Sequence, residues 1–129
     1  MVHVVDTHAL LWYLEDYEGL GRRAGEILGD SAARLIVPTI VLAEARFITA
    51  KQKVALSWDQ VIAAVSSDER FTAYPLTLDV LHRLSPDMEM HDAIVCATAV
   101  LVAESTSEDV RVITKDRAIA ASGLVETVW

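Results

Sequence analysis

Four acidic residues stand where a carboxylate is awkward for a folding chain. Asp6 closes VHVVD, Glu44 interrupts TIVLAEARFITA, Asp92 opens DAIVCATAVLVA and Asp116 follows VRVITK. Packing the apolar segments together would gather the acids as well. Charged side chains are almost never fully buried alone, because desolvating an ion costs several kcal/mol, comparable with a domain's whole margin of stability. Carboxylates a few Å apart also repel, by roughly 4 kcal/mol per close pair at an effective dielectric near 20. A gathered set therefore calls for a cation. All-oxygen donors favour Mg2+ or Mn2+ over Zn2+, and one cysteine with four scattered histidines offers no structural zinc spacing. Such ions bind phosphates: they lower the pKa of a bound water, orient a phosphodiester and offset charge on the leaving oxygen.

Each acid also has an ordinary role open to it. Asp6, Asp92 and Asp116 each precede a helical pattern, and Asp is a favoured N-cap. Glu44 is different. It lies mid-helix between Ala43 and Ala45, and Arg46, two positions on, falls on another face of the helix. Glu44 is therefore expected to find a salt-bridge partner or a metal. His8 and His91 adjoin acids, although isolated histidines are more often structural or surface residues. Arg46, Lys51 and Lys53 follow Glu44, and Lys115 and Arg117 flank Asp116, a basic rim for a phosphate backbone. The alternative is a solvated surface of mixed charge.

Positioning these residues falls to an α/β rhythm. Short β-branched runs alternate with helical patterns: VHVV, a helix around Ala9 to Glu15, another around Gly21 to Asp30, then LIV. Pro38 suits a strand exit, and Thr39 is placed to cap a helix running toward Lys51. Ser57 reads as the N-cap of WDQVIAAVSSDE, whose Val61, Ile62 and Val65 face inward. A strand, FTAYP, precedes a short helix, TLDVLHRL, ended by Ser85 and Pro86; then comes the most apolar helix. The last third reads as strand VRVIT, helix DRAIAA, a turn at Ser122 and Gly123, and strand VETVW. Runs of this kind suit a three-layer α/β/α fold with a mainly parallel sheet, where ligands collect beyond the carboxyl ends of the strands. Asp6 and Asp116 should share that edge.

Composition bounds the function. The chain's 129 residues make one domain, residues 1–129, of ordinary size. The longest uncharged segment, Ala93 to Ala103, falls short of the ~20 residues that cross a bilayer. MVHVVD lacks the basic region of a signal peptide, and the lone Cys96 in an apolar helix permits no disulfide framework. These features point to a cytoplasmic protein with no membrane association, in which Cys96 packs the core. The net charge of −8 argues against nucleic-acid binding through a broad basic surface. A cation-recruiting site with basic neighbours escapes that argument.

DTHALLWYL, the AEAR segment around Glu44, HDAIVCATA and TKDRAI, in that order, resemble a PIN-domain ribonuclease of the VapC toxin type. The resemblance spans the chain, including its ending, GLVETVW. DTHALLW is fairly specific; the remaining motifs gain weight from order and spacing. The resemblance implies metal-dependent endonucleolytic cleavage of RNA and neutralisation by a cognate antitoxin. Carried over by motif, Asp6, Glu44, Asp92 and Asp116 match the family's acidic quartet, and Thr114 its hydroxyl residue two before the last acid. Asp6 and Asp92 are then expected to be the primary ligands of Mg2+ or Mn2+, with Asp116 and Glu44 positioning waters, a second ion or the attacking hydroxide. Thr114 would hydrogen-bond a carboxylate or phosphate, or simply end a strand; Thr7 is a weaker candidate.

Leu10, Leu11, Trp12, Tyr13 and Leu14 crowd one short helix with more apolar surface than one buried face uses. The surplus fills the core or meets a partner, which under the resemblance means an antitoxin segment in an apolar groove and pairing of the toxin as a homodimer. Two rival readings differ in class. A catalytically silent PIN-like scaffold would bind RNA or protein without cutting. A phospho-acceptor signalling domain would want adjacent acids after the first strand and an acceptor Asp after a central one, whereas Asp6 stands alone and Asp79 follows a poor strand.

Overall fold

The computed structural model describes residues 1–129. Strands and helices alternate along the chain: β1 (Val2–Val5), α1 (Thr7–Leu14), α2 (Arg22–Leu28), β2 (Leu35–Pro38), α3 (Thr39–Ala50) and α4 (Trp58–Ser67), then β3 (Phe71–Tyr74), α5 (Leu78–His82), α6 (Met90–Thr106), β4 (Val110–Ile113), α7 (Arg117–Ala121) and β5 (Glu126–Val128). The strands form one sheet in the order β3-β2-β1-β4-β5, parallel throughout. Seven helices flank it, giving the expected α/β/α architecture.

Parallel strands joined by right-handed crossovers fix which face each helix covers. The chain steps from β1 to β3 in one direction and from β4 to β5 in the other, so α1 to α4 fall on one face and α5 to α7 on the opposite one. The packing follows this division, with α1 meeting α2, α3 and α4 and α6 meeting α5 and α7; α6 also reaches α3 across the division, where His91 meets Glu44. All four residues of β1 are buried, as a central strand covered on both faces must be. His3 sits in β1 between Leu35 and Arg111 of the adjacent strands. Burial, helped by the Arg111 charge, holds its imidazole below the ordinary value of 6.5.

Helix α6 is buried from Asp92 to Ala99 and again at Leu101 and Val102, which is why its sequence is apolar on nearly every side. Cys96 packs there; burial raises its thiol pKa to about 11, leaving it an unreactive filler. No helix is long and apolar enough to cross a membrane.

Local signals hold in some places and shift in others. Ser57 caps α4 in a reciprocal capping box with Gln60. Thr39 does not cap α3: it is the first helical residue, Pro38 holds the cap position, and no side chain satisfies the free N–H groups. The first helix begins at Thr7 rather than Ala9, because Asp6 already caps it. The apolar helix starts at Met90, so Asp92 lies inside the first turn instead of opening the helix.

Candidate functional site

Strand order reverses between β1 and β4, and a crevice opens beyond the carboxyl ends of strands at such a switch point. Asp6 and Thr114, the residues that follow those two strands, extend the pairing by one step. The Asp6 N–H donates to the Ile113 carbonyl at 3.1 Å, and the Thr114 N–H donates to the Val128 carbonyl at 3.1 Å. Backbone bonds therefore fix both side chains.

The Thr114 hydroxyl sits between two acids. It accepts from the Asp116 N–H at 3.0 Å and donates to Asp6 Oδ2 at 2.6 Å. A hydroxyl carries one proton, so the backbone contact leaves that proton for Asp6. Asp6 Oδ1 accepts the Thr7 N–H at 2.8 Å. Each Asp6 oxygen keeps a lone pair free in a carboxylate that cannot rotate. Asp116 uses Oδ1 to cap α7, accepting from the Ala118 N–H at 2.7 Å and the Ile119 N–H at 3.4 Å. The capping roles open to these two acids are thus real, and both still face the crevice.

Asp92 carries the strain of the site. Its side chain is only 8% exposed, and its nearest basic atom, His91 Nδ1, stands 3.6 Å away, beyond hydrogen-bond range. Burial first and then the Asp116 charge raise its pKa above the ordinary 3.8; His91 pulls it back in part, and the Asp6 charge adds a smaller push upward. A largely buried carboxylate beside two like charges, with its oxygens open to the cleft and His91 its nearest cationic partner, is what a cation would relieve.

Glu44 differs from the sequence expectation. Its side chain is 38% exposed, so its placement among alanines does not bury it, and its partner is His91 Nε2 at 3.7 Å. His91 also meets the Thr7 hydroxyl at 3.2 Å, so one imidazole touches α1, α3 and its own α6. His8, by contrast, is exposed and stands edge-on to Trp12 with ring centroids 5.5 Å apart.

A cleft of about 580 Å³ collects these groups: Asp6, Glu44, Asp92, Asp116 and Thr114 all line it. His91, Glu89, Lys115 and Arg117 join them. Glu89 was not anticipated; its signal is the EMHD spacing, which sets Glu89 three residues before Asp92. The tie from Thr7 to His91 spans 84 positions and has no sequence signature. Of the expected basic rim, Lys115 and Arg117 border the cleft, Lys51 and Lys53 line an adjoining groove, and Arg46 turns away to stack on Trp58 at 5.8 Å.

Nowhere do three or more His, Cys, Asp or Glu side chains converge closely enough to chelate an ion unaided. The donor set suits a hard divalent cation of the Mg2+ kind, which keeps several waters and takes one or two carboxylates. Asp6 and Asp92 are the two buried acids available for that role.

No family model matches the chain, and no curated protein matches it.

Proposed function

We propose that this chain is a metal-dependent endoribonuclease of the PIN-domain, VapC toxin type, working in the cytoplasm, paired with itself and restrained by a cognate antitoxin. The observation that carries the reading is Asp92: a largely buried carboxylate, raised in pKa, whose oxygens open on a cleft at the switch point shared with Asp6, Glu44 and Asp116. A fold that keeps such a group forgoes stability, and strained acids of this kind cluster where chemistry is done.

Asp6 and Asp92 would hold Mg2+ or Mn2+, which when bound would supply an activated water and a counter-charge for the phosphate. The chain's own residues do the positioning. Thr114 and the Thr7 N–H fix the Asp6 carboxylate so that its remaining lone pairs stay presented. Asp116 and Glu44 line the same cleft and orient water by accepting its hydrogen bonds. Lys115 and Arg117 offset the charge of the incoming phosphodiester, which five cleft carboxylates would otherwise repel.

The test is cleavage of RNA by the purified chain with Mg2+ or Mn2+. Chelation, Asp6→Asn or Asp92→Asn should abolish cutting. Wild-type rates in both variants would remove the site from the reaction.

A further inference from the structure

Beside the acidic cleft lies a second depression of about 420 Å³, lined by His8, Trp12, Glu44, Phe47, Ile48, Lys51, Lys53 and Val54. His8 and Glu44 line both, so the groove opens directly into the cleft. Its walls are one face of each of two helices. His8 and Trp12 are four apart on α1, while Glu44, Phe47 and Ile48 on α3 and Lys51 at its C-cap recur at three- and four-residue spacing, placing Lys51 about 10 Å along the helix axis from Glu44. Helix α3 then ends in a Schellman turn: Gln52 adopts φ 55° and the Lys53 N–H donates to the Ile48 carbonyl at 3.3 Å. The turn brings Lys53 to the groove alongside Lys51.

The lining is unusual for this chain. In a molecule of net charge −8, two lysines line the groove with Trp12, Ile48 and Val54; Lys115 Nζ lies 4.3 Å from the Trp12 ring centroid, which leaves Phe47, 68% exposed, as the open ring. Neither Lys51 nor Lys53 enters a salt bridge. Exposed cations beside an exposed aromatic ring are what a nucleic-acid strand with unstacked bases engages, phosphates on the cations and bases on the ring. An acidic peptide would use the lysines too, but it has no reason to continue into a cleft of carboxylates. A phosphodiester strand does.

Resting on the ribonuclease reading, we propose that the groove between α1 and α3 is the track of the RNA strand on one side of the scissile bond, with Lys51 and Lys53 holding phosphates and Phe47 carrying an unpaired base. All three side chains are exposed, so their replacement spares the core.

The experiment measures binding of a fluorescent single-stranded RNA to the intact chain carrying Asp92→Asn, by anisotropy over a range of salt, with cleavage by otherwise wild-type chains in parallel. Lys51→Glu with Lys53→Glu should weaken binding at least tenfold and lower the salt slope by about one per lysine. Phe47→Ala should weaken it about fivefold or more; arginine at both lysine positions should restore it. Unchanged affinity and slope in the double variant, with the wild type still cutting RNA, overturns the track and leaves the nuclease reading standing. Unchanged RNA affinity in a double variant that no longer holds a defined protein inhibitor assigns the groove to that partner and likewise overturns the track. No RNA binding by the Asp92→Asn chain together with no cutting by the wild type removes both.

Discussion

Replacing Asp92 by Asn separates the two demands placed on that side chain, fold stability and cation binding, because they respond in opposite directions. The Asp92 pKa in the fold lies above its ordinary 3.8, through burial first and then the Asp116 and Asp6 charges. The ionised form is therefore disfavoured in the native state. That penalty is absent below pH 3.8, grows as the pH rises through the native pKa, and is complete above it. Asparagine of the same shape removes it; the gain to look for is about 1 kcal/mol, the size of a typical single stabilising substitution. With an unfolding entropy near 2.1 cal/mol/K per residue, a chain of 129 residues converts 1 kcal/mol into a rise of roughly 4 °C. Mn2+ at a hundred times its dissociation constant stabilises the wild type by about 2.7 kcal/mol, or roughly 10 °C. Calorimetry of both proteins, with EDTA and with Mn2+, should give crossed orders of stability: the variant melts higher without metal, the wild type higher with it. The variant should also lack the loss of stability with rising pH that metal-free wild type shows above 3.8. A variant that melts lower without metal, or gains as much from Mn2+ as the wild type, refutes the assignment of Asp92 as a strained ligand.

Thr114→Val should slow cleavage 10- to 100-fold, because it removes the donor to Asp6 and strands the Asp116 N–H, while Thr114→Ser restores it; single-turnover kinetics decide. Arg70→Ala should cost ~2–3 kcal/mol in urea unfolding and leave the cleavage rate of the folded protein unchanged, since the guanidinium ties the Leu28 and Asp30 carbonyls at 2.7 and 2.8 Å, well away from the cleft. Leu10→Ala, at a fully buried position of the core, should cost ~2–5 kcal/mol in the same assay. His3 gives a pH signature of its own. Its native pKa lies below 6.5 through burial and the Arg111 charge, so below pH 6.5 the unfolded chain takes up protons that the native one refuses, and stability declines as pH falls. A His3→Gln protein should not show that decline between pH 6.5 and the native pKa.

The architecture was legible because its signals are local. VHVV and VRVI announce central strands, and the acids that follow them arrive at one edge because parallel strands end together. Asp6 and Asp116 needed nothing more. Asp92 and Glu44 needed three-dimensional information. The α6 N-terminus has Glu89 at its cap position with no side-chain capping bond, so Asp92, a favoured capping type next to an apolar run, looked like the start. Glu44 was read from its chain neighbours, yet exposure on a helix follows the face: Val41, Ala45 and Thr49 form the buried stripe, and Glu44 stands beside it over the cleft. The weight first placed on Glu44 thus moves to Asp92. His91 was undervalued because its partners Thr7 and Glu44 lie far off in sequence. Likewise, Trp12 and Lys51 share a groove only because α1 packs on α3.

The central claim is that the cleft hydrolyses RNA with a divalent cation held by Asp6 and Asp92. Its most direct test is a time course of end-labelled single-stranded RNA with purified wild type, Asp6→Asn and Asp92→Asn, each with Mn2+ and with EDTA. The account predicts internal cleavage by the wild type with Mn2+ alone, and none in the other lanes. Cleavage by both variants at the wild-type rate, or intact RNA in every lane despite folded protein, would contradict it.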